Sequence, residues 1–257
     1  MPRLRAALGD LPRNTTAAYL RRLRRLERKR RRLRRHRVHW NQPATAWAID
    51  GTWLSQPVVG SGRRALVVVD LHSKDTLAVA SVPGERATAA EEVLEGLVEE
   101  HGPPLVLKLD NGSAFISRRI AAFCDRHGIT PMHSPVRRPS WNGTCEVSGR
   151  WAKRRAEAAA LIRGGDGTLT QADLDCAVTC AGVLPKIDAE LRRHFRSVVA
   201  QQLALVAAER GLVIGADMSD HVRRSLGRVA ARRALQECHL VTIEGREYPQ
   251  CFSGSVA

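Results

Sequence analysis

The sequence predicts an α/β domain in which helices cover both faces of a mixed sheet. Three short extended patterns follow one another within residues 46–82, and helical and extended patterns then alternate as far as residue 161. The stretch ALVVVDL, residues 65–71, is almost wholly apolar, which is typical of a central strand covered on both faces. With 257 residues and 44% hydrophobic content, the chain can bury a sizeable core.

Apolar runs bounded by turn residues predict the strands. The polar turn HSKD, residues 72–75, separates the second strand from the third, and the turn GPP, residues 102–104, precedes the fourth. The five strands are expected at residues 46–54, 65–71, 76–82, 105–109 and 129–133.

Apolar residues at helical spacing predict the helices between and after these strands. Residues 90–98 follow the i, i+3, i+4, i+7, i+8 pattern, and a second helix ends at Gly128. A third helix is expected from near Thr144 to about Leu161, after a loop rich in proline and glycine. The element order is therefore β-β-β-α-β-α-β-α.

The glycine-rich stretch GGDGT, residues 164–168, predicts a boundary after the third helix. Beyond it the chain is expected to be mostly helical, with helices at 170–182, 187–210 and 219–236 and a short extended pair within 239–248. The predicted division is a basic arm at 1–42, a core domain at 43–163 and a helical C-terminal region at 164–257.

Positive charge is concentrated near the N-terminus. The net charge is +15, and residues 1–40 hold 15 of the 41 lysine and arginine residues but only two of the 26 acids. Leucines recur at helical spacing through residues 20–37, which predicts a basic helix that binds a polyanion, with nucleic acid as the favoured partner. Within it, Arg30, Arg31 and Arg32 are the candidate DNA ligands. A solvated arm and a localisation signal are the alternatives.

Several protein classes are disfavoured by the sequence. It has no run of about 18 apolar residues, so no membrane span is expected, and its first residues lack a signal-peptide pattern. The six cysteines fit neither a zinc-site spacing nor a dense disulfide framework, so reduced thiols are expected. We therefore expect a cytoplasmic, nucleoid-associated protein.

Three acidic residues stand where ionised carboxylates are costly. Asp50 interrupts an apolar strand, Asp110 ends another strand, and Glu146 lies in the first turn of a helix. Each has an ordinary explanation. Asp50 could be a polar residue at a strand end, Asp110 could belong to a common Asp-Asn-Gly turn, and Glu146 could be an acid favoured at a helix N-terminus. Brought to one sheet edge, however, the three would form an oxygen-rich site for Mg²⁺ or Mn²⁺.

The spacing of these acids resembles that of a known family. They stand in the motifs WAIDGT, KLDNGSAF and PSWNGTCEV, and 35 residues separate Asp110 from Glu146. Over about residues 43–158 the chain resembles the DDE catalytic core of insertion-sequence transposases and retroviral integrases. The resemblance implies a ribonuclease H-like fold, with Asp50, Asp110 and Glu146 holding two Mg²⁺ or Mn²⁺ ions. It implies DNA strand cleavage and transfer, with element ends and target DNA as partners and a homo-oligomer on DNA.

The resemblance also suggests roles for neighbouring residues. Arg150 and Lys153 follow Glu146 on one helix face and would contact DNA phosphates, although a solvated basic helix explains them equally simply. Asn111 and Asn142 would bond DNA or the carboxylates, or would only form turns. The loop before Glu146 adds two candidate phosphate ligands, Arg137 and Arg138. A fourth acid, Asp70, is expected to be structural.

The first 50 residues leave a second hypothesis open. Only an arginine-rich segment precedes Asp50, and it is too short for the helix-turn-helix modules that such transposases carry there. The alternative to a metal-dependent strand transferase is therefore a catalytically silent DNA-binding remnant. A nuclease of the same fold that cuts without joining is a third, weaker option.

Overall fold

The computed structural model describes residues 17–26, 37–84, 86–136, 139–164, 167–215 and 217–244. The chain divides into two units, one of residues 40–242 and one of residues 1–39 with 243–257. In the second unit, residues 17–26 form a helix, α1, on which Leu23 and Leu26 are exposed. The predicted basic helix is thus helical at residues 20–26, whereas Arg30, Arg31 and Arg32 lie outside the described residues.

A mixed sheet of five strands forms the centre of the unit at residues 40–242. Its strands are β2 (Ala46–Val58), β3 (Gly62–Asp70), β4 (Thr76–Val82), β5 (Val106–Leu109) and β6 (Thr130–His133). They lie in the order β4-β3-β2-β5-β6, with the β4-β3 and β3-β2 pairs antiparallel and the β2-β5 and β5-β6 pairs parallel. This mixed topology, together with helices on both faces, confirms the predicted ribonuclease H-like fold.

Helices cover both faces of this sheet, as predicted. They are α2 (Ala87–His101), α3 (Arg118–Arg126), α4 (Gly143–Arg163), α5 (Gln171–Asp175), α6 (Ala189–Glu209) and α7 (Asp220–Glu237), and a 3₁₀ turn at Pro139–Asn142 precedes α4. Because successive side chains of a strand point to opposite faces, β2 contributes to two cores. Trp47 and Ile49 pack with residues of α2 and α3, whereas Ala46 and Ala48 pack with residues of α4, α6 and α7.

Two predictions for the C-terminal region are wrong in detail. The helix expected at 170–182 ends at Asp175, because the backbone N–H groups of Thr179 and Cys180 donate to the carbonyl of Thr76 instead of continuing a helix. The strand β7, Val241–Glu244, pairs with β1, Arg37–Trp40, rather than with a neighbour inside 239–248. Arg37 was expected within the basic helix and is extended instead.

A stripe of small residues lets α4 lie close to the sheet. Its buried positions are Cys145, Gly149, Ala152, Ala156 and Ala160. The helix contacts both β2 and β3, and a Cβ added at Gly149 would meet Thr52 Oγ1 at 3.6 Å. The N-terminal turn of α4, with Glu146, is therefore held near the middle of β2 by close backbone approach.

The far end of α4 is fixed by an ion pair. Arg163 Nη2 donates to Asp173 Oδ2 over 2.9 Å, and Asp173 also accepts hydrogen bonds from the backbone N–H and the hydroxyl of Thr170. The hydrogen bond from Arg163 lowers the pKa of Asp173 from 3.8 to about 2. Since Asp173 belongs to α5, its ionised form joins α4 to the segment that follows it.

The Asp173 pair gives the protein a defined response to acid. The pKa of Asp173 is depressed in the folded state. The ion pair therefore stabilises the fold fully above about pH 3.8, and this stabilisation is lost as the pH falls through about 2. Asp173→Asn should lower the free energy of unfolding by about 1–3 kcal/mol at pH 7, and the deficit should shrink between pH 4 and 2. Urea unfolding across this range measures it, with Asp175→Asn, an exposed acid of the same helix, as the control. A deficit that does not change with pH would contradict this account.

Candidate active site

The parallel pairing of β2 with β5 brings two of the predicted acids to one level of the sheet. Ala46 pairs with Val106 and Ala48 with Lys108. Continued by two residues, the same register brings Asp50 level with Asp110, the first residue after β5. Asp50 is half-buried and, because side chains alternate, lies on the face of β2 that α4 covers.

Glu146 lines the same cleft as Asp50. This cleft, of about 320 Å³, lies between β2 and the first turns of α4. Its lining also includes Arg150 and Lys153, which the sequence predicted as phosphate ligands. Lys153 is half-buried, whereas Glu146 and Arg150 are exposed.

Asp110 both forms a turn and presents a carboxylate. Its Oδ1 accepts a hydrogen bond of 2.8 Å from the backbone N–H of Gly112, as in an Asx-turn. A Cβ at Gly112 would come within 3.0 Å of that oxygen, so glycine allows the close approach. The side chain is half-buried, and the two readings of the Asp-Asn-Gly motif are therefore compatible.

Asn111 and Asn142, the two predicted supporting residues, meet at Ser134. Asn111 Nδ2 donates to the Ser134 carbonyl over 2.7 Å, and the Ser134 hydroxyl donates to Asn142 Oδ1 over 3.0 Å. The Ser134 N–H in turn donates to the Leu109 carbonyl. Asn142 is buried and immediately precedes α4, so these bonds join the end of β5, the end of β6 and the start of α4.

Two further side chains border the site, and the sequence had not singled them out. Lys108 Nζ donates to the carbonyl of Trp141, and burial lowers the pKa of Lys108 while the charge of Asp50 opposes that shift. Burial, and then the charge of Asp50, raises the pKa of the Cys145 thiol to about 12. Without a metal ion, the thiol is therefore neutral near pH 7. A lysine inside the apolar strand VLKL was the available signal for Lys108.

The Cys145 thiol marks where the three acids approach one another. Asp50, Asp110 and Glu146 all raise its pKa by their charge, which requires each carboxylate to lie within electrostatic range of it. Even so, in the described parts of the chain no three His, Cys, Asp or Glu side chains lie close enough together to hold a metal ion. The three acids thus surround one region without forming a closed cage.

The remaining predicted residues are distributed as follows. Arg137 and Arg138 lie outside the described residues. Asp70 is fully buried and accepts hydrogen bonds from the backbone N–H groups of Ala44, His72 and Ser73, which is the structural role expected of it. All five described cysteines are free thiols, and Cys251 lies outside the described residues.

Comparison with known proteins finds a similar family for part of this domain. Residues 41–139 match the family described as integrase core domain. This part of the chain is therefore similar to integrase core domains. The matched segment includes Asp50 and Asp110 and ends before Glu146.

Individual relatives are retroviral. The Gag-Pol polyprotein of Koala retrovirus is 28% identical over 130 residues, which are 51% of this chain and 8% of that polyprotein. The HTLV-2 integrase catalytic core, solved in complex with magnesium, is 21% identical over 48% of this chain and 77% of its own, with a TM-score of 0.41. The catalytic core of BIV integrase is 23% identical over 55% and 91%, with a TM-score of 0.43.

Among the described residues, none of the helices has the length and apolar character needed to cross a membrane.

The bonds at Ser134 can be tested by their effect on stability. Asn142→Ala removes the acceptor of a buried hydroxyl and should lower the free energy of unfolding by about 1–3 kcal/mol. Ser134→Ala removes the same hydrogen bond. The double variant should therefore lose clearly less free energy of unfolding than the sum of the losses in the two single variants. Urea unfolding of the three variants gives the coupling. Additive costs would show that the two side chains do not interact.

Proposed function

We propose that this protein catalyses metal-dependent DNA strand cleavage and strand transfer, with Asp50, Asp110 and Glu146 as its metal-binding carboxylates. The observation that carries the proposal is the approach of three acids from separate elements to one region beside α4. Two of them end up level on adjacent strands through the β2-β5 register, and the third lines the cleft beside Asp50. A purely structural sheet has no need of such a cluster, because gathering like charges destabilises the fold.

The available ligands fit a hard divalent cation. The three proposed ligands are carboxylates and supply oxygen donors, which suit Mg²⁺ or Mn²⁺ better than a thiophilic metal. Bound there as a pair, such ions would activate a water or a 3′-hydroxyl and stabilise the leaving oxygen of an in-line phosphoryl displacement. The exposed position of Glu146 lets that carboxylate adjust when cations and DNA arrive.

The protein's own side chains would position the DNA. Arg150 and Lys153 line the carboxylate cleft and would hold phosphates of the bound strand next to the acids. Asn111 and Asn142 would act by orienting the elements that carry Asp110 and Glu146, because both are bonded to Ser134. The DNA substrates would be the ends of an element and a target duplex, bound by a homo-oligomer.

One observation favours the alternative, a DNA-binding protein without catalytic activity. The acids do not form a three-ligand cluster in the described residues, so the metal site is not closed in this conformation. In an enzyme, cations and DNA would complete the site. In a silent remnant, the acids would never hold a cation, and only the affinity for DNA would remain.

Glu146→Gln separates the two possibilities. The substitution keeps the size of the side chain but removes a charge that would help to hold a cation. Cleavage and joining of an end-matched duplex with Mn²⁺ should fall at least about a hundredfold, since metal-assisted charge stabilisation typically supplies several kcal/mol. DNA affinity, measured alongside, should be retained, because the basic side chains remain. Asp50→Asn and Asp110→Asn should also weaken Mn²⁺ binding in calorimetry without loss of the fold.

Glu157→Gln is the matched control, because Glu157 lies on the same helix and accepts a hydrogen bond from Ser55 outside the cleft. Its activity should stay within a few-fold of wild type. Equal cleavage by wild type and Glu146→Gln would rule out the proposed mechanism. Tight DNA binding by a wild-type protein that neither binds Mn²⁺ nor cleaves would establish the silent alternative.

The basic arm should supply DNA affinity that does not depend on sequence. Deleting residues 1–36, which leaves β1 intact, should weaken binding to all duplexes alike and flatten the dependence of affinity on salt. Each lost phosphate contact changes the log–log slope by about 0.9 on duplex DNA. Fluorescence anisotropy titrations from about 50 to about 200 mM salt, where the effect is large, measure both the DNA affinity and its dependence on salt. An unchanged slope would leave the arm with no part in DNA binding.

A further inference from the structure

A row of arginines lies along one face of α7. Arg224, Arg228 and Arg232 follow each other at intervals of four residues and are half-buried. Residues four apart on a helix lie above one another, so their side chains share a face. The helix packs against β6, the edge strand of the sheet on the side of Asp110.

Hydrogen bonds connect this row to the segment that carries Asp110. Arg228 Nη1 donates to the carbonyl of His133 over 3.4 Å, and His133 Nδ1 lies 3.2 Å from the carbonyl oxygen of Asp110. Burial lowers the pKa of His133, and the charges of Arg224 and Arg228 lower it further. Both guanidinium groups therefore lie near the ends of β5 and β6, where the proposed carboxylate site begins.

The charges of Arg224 and Arg228 are poorly compensated within the protein. In the described part of the chain, neither is paired with a carboxylate, and the buried Nε of Arg224 has no hydrogen-bond acceptor. Burial lowers the pKa of Arg228, and the nearby positive charge of Arg210 lowers it further. Burying like charges without acidic partners costs stability unless an anion compensates for them.

Arg233, on the same helix, shows the opposite arrangement. Its two terminal nitrogens donate to the two carboxylate oxygens of Glu209, each over 2.8 Å. This bidentate pair raises the pKa of Arg233. Arg233 is thus paired with a carboxylate within the fold. Arg224 and Arg228 have no carboxylate partner among the described residues, although Arg228 also donates to the Ser225 hydroxyl over 3.2 Å, so an external anion can compensate their charge.

We propose that Arg224 and Arg228 of α7 form a second phosphate-binding surface, which holds the backbone of a DNA strand as it passes Asp110 on its way to the carboxylate cleft. The proposal rests on the proposed function, because it assigns the occupant as DNA. Paired guanidinium groups at helical spacing match the repeating phosphates of a nucleic-acid backbone, and a planar guanidinium can bind a phosphate with two hydrogen bonds. This surface would fix the path of the strand, whereas the N-terminal arm would raise affinity without fixing it.

The test compares two double variants of α7 that remove equal charge. Arg224→Gln/Arg228→Gln removes the proposed phosphate ligands. Arg223→Gln/Arg233→Gln removes Arg233, which is paired with Glu209, and Arg223, an exposed arginine that donates to the carbonyl of Gly215. Anisotropy with a random-sequence duplex is measured from low to moderate salt in the presence of EDTA, so that no cleavage occurs. Thermal unfolding of each protein checks that the fold is retained.

If Arg224→Gln/Arg228→Gln removes two phosphate contacts, the slope of log affinity against log salt concentration should become shallower by about 1.8. The affinity for the duplex should fall about 60-fold at about 0.1 M salt. Arg223→Gln/Arg233→Gln should show less than half of either change. If wild type binds DNA and the two variants behave alike, the α7 surface is not a DNA contact, while the function proposed for the carboxylates is unaffected. If wild type does not bind duplex DNA even at low salt, both proposals fail together.

Discussion

The parallel pairing between β2 and β5 is the constraint on which the rest of the site depends. Backbone hydrogen bonds set Ala46 opposite Val106, and the pleat then decides which side chains reach which face. A shift of one residue would turn Asp50 toward the core that contains Trp47 and Ile49, where an ionised carboxylate is very costly. The same bonds hold Asp110 at the sheet edge, so fold and site share a single register.

The close contact between α4 and the sheet brings the third acid, Glu146, to the site. A helix with large side chains would stand further from β2, and Glu146 would move away from Asp50 with it. Small residues at the buried positions of α4 avoid this, and the bonds of Ser134 and Lys108 fix its N-terminal end. Stability and function are thereby linked, because the interactions that seat this helix also set the spacing of the proposed metal ligands.

The chain carries positive charge in three places. Residues 1–40 are strongly basic, α4 places Arg150 and Lys153 in the cleft, and α7 sets half-buried arginines beside the end of β6. Exposed charges mainly raise affinity and association rate, and salt screens them strongly. Partly desolvated charges interact more strongly with a bound phosphate, since the surrounding dielectric is lower. The proposed division is therefore between capture of DNA by the arm and placement of a strand by the helices.

Periodicity, turn residues and the spacing of three acids determined much from the sequence alone: the strand and helix order to residue 161, a mixed sheet covered on both faces, and the candidate residues Asp50, Asp110 and Glu146. These signals are local, because side-chain alternation and helix termination are set within a few neighbouring residues.

Only the tertiary structure decided the pairings between distant segments. The helix predicted through 182 stops early because Thr76 bonds Thr179 and Cys180, and β1 finds its partner about 200 residues away in β7. The tertiary structure likewise brings Lys108 near Asp50, and Arg224 and Arg228 of α7 near His133. No local pattern encodes these contacts, because they form only when the assembled sheet supplies the partner atoms.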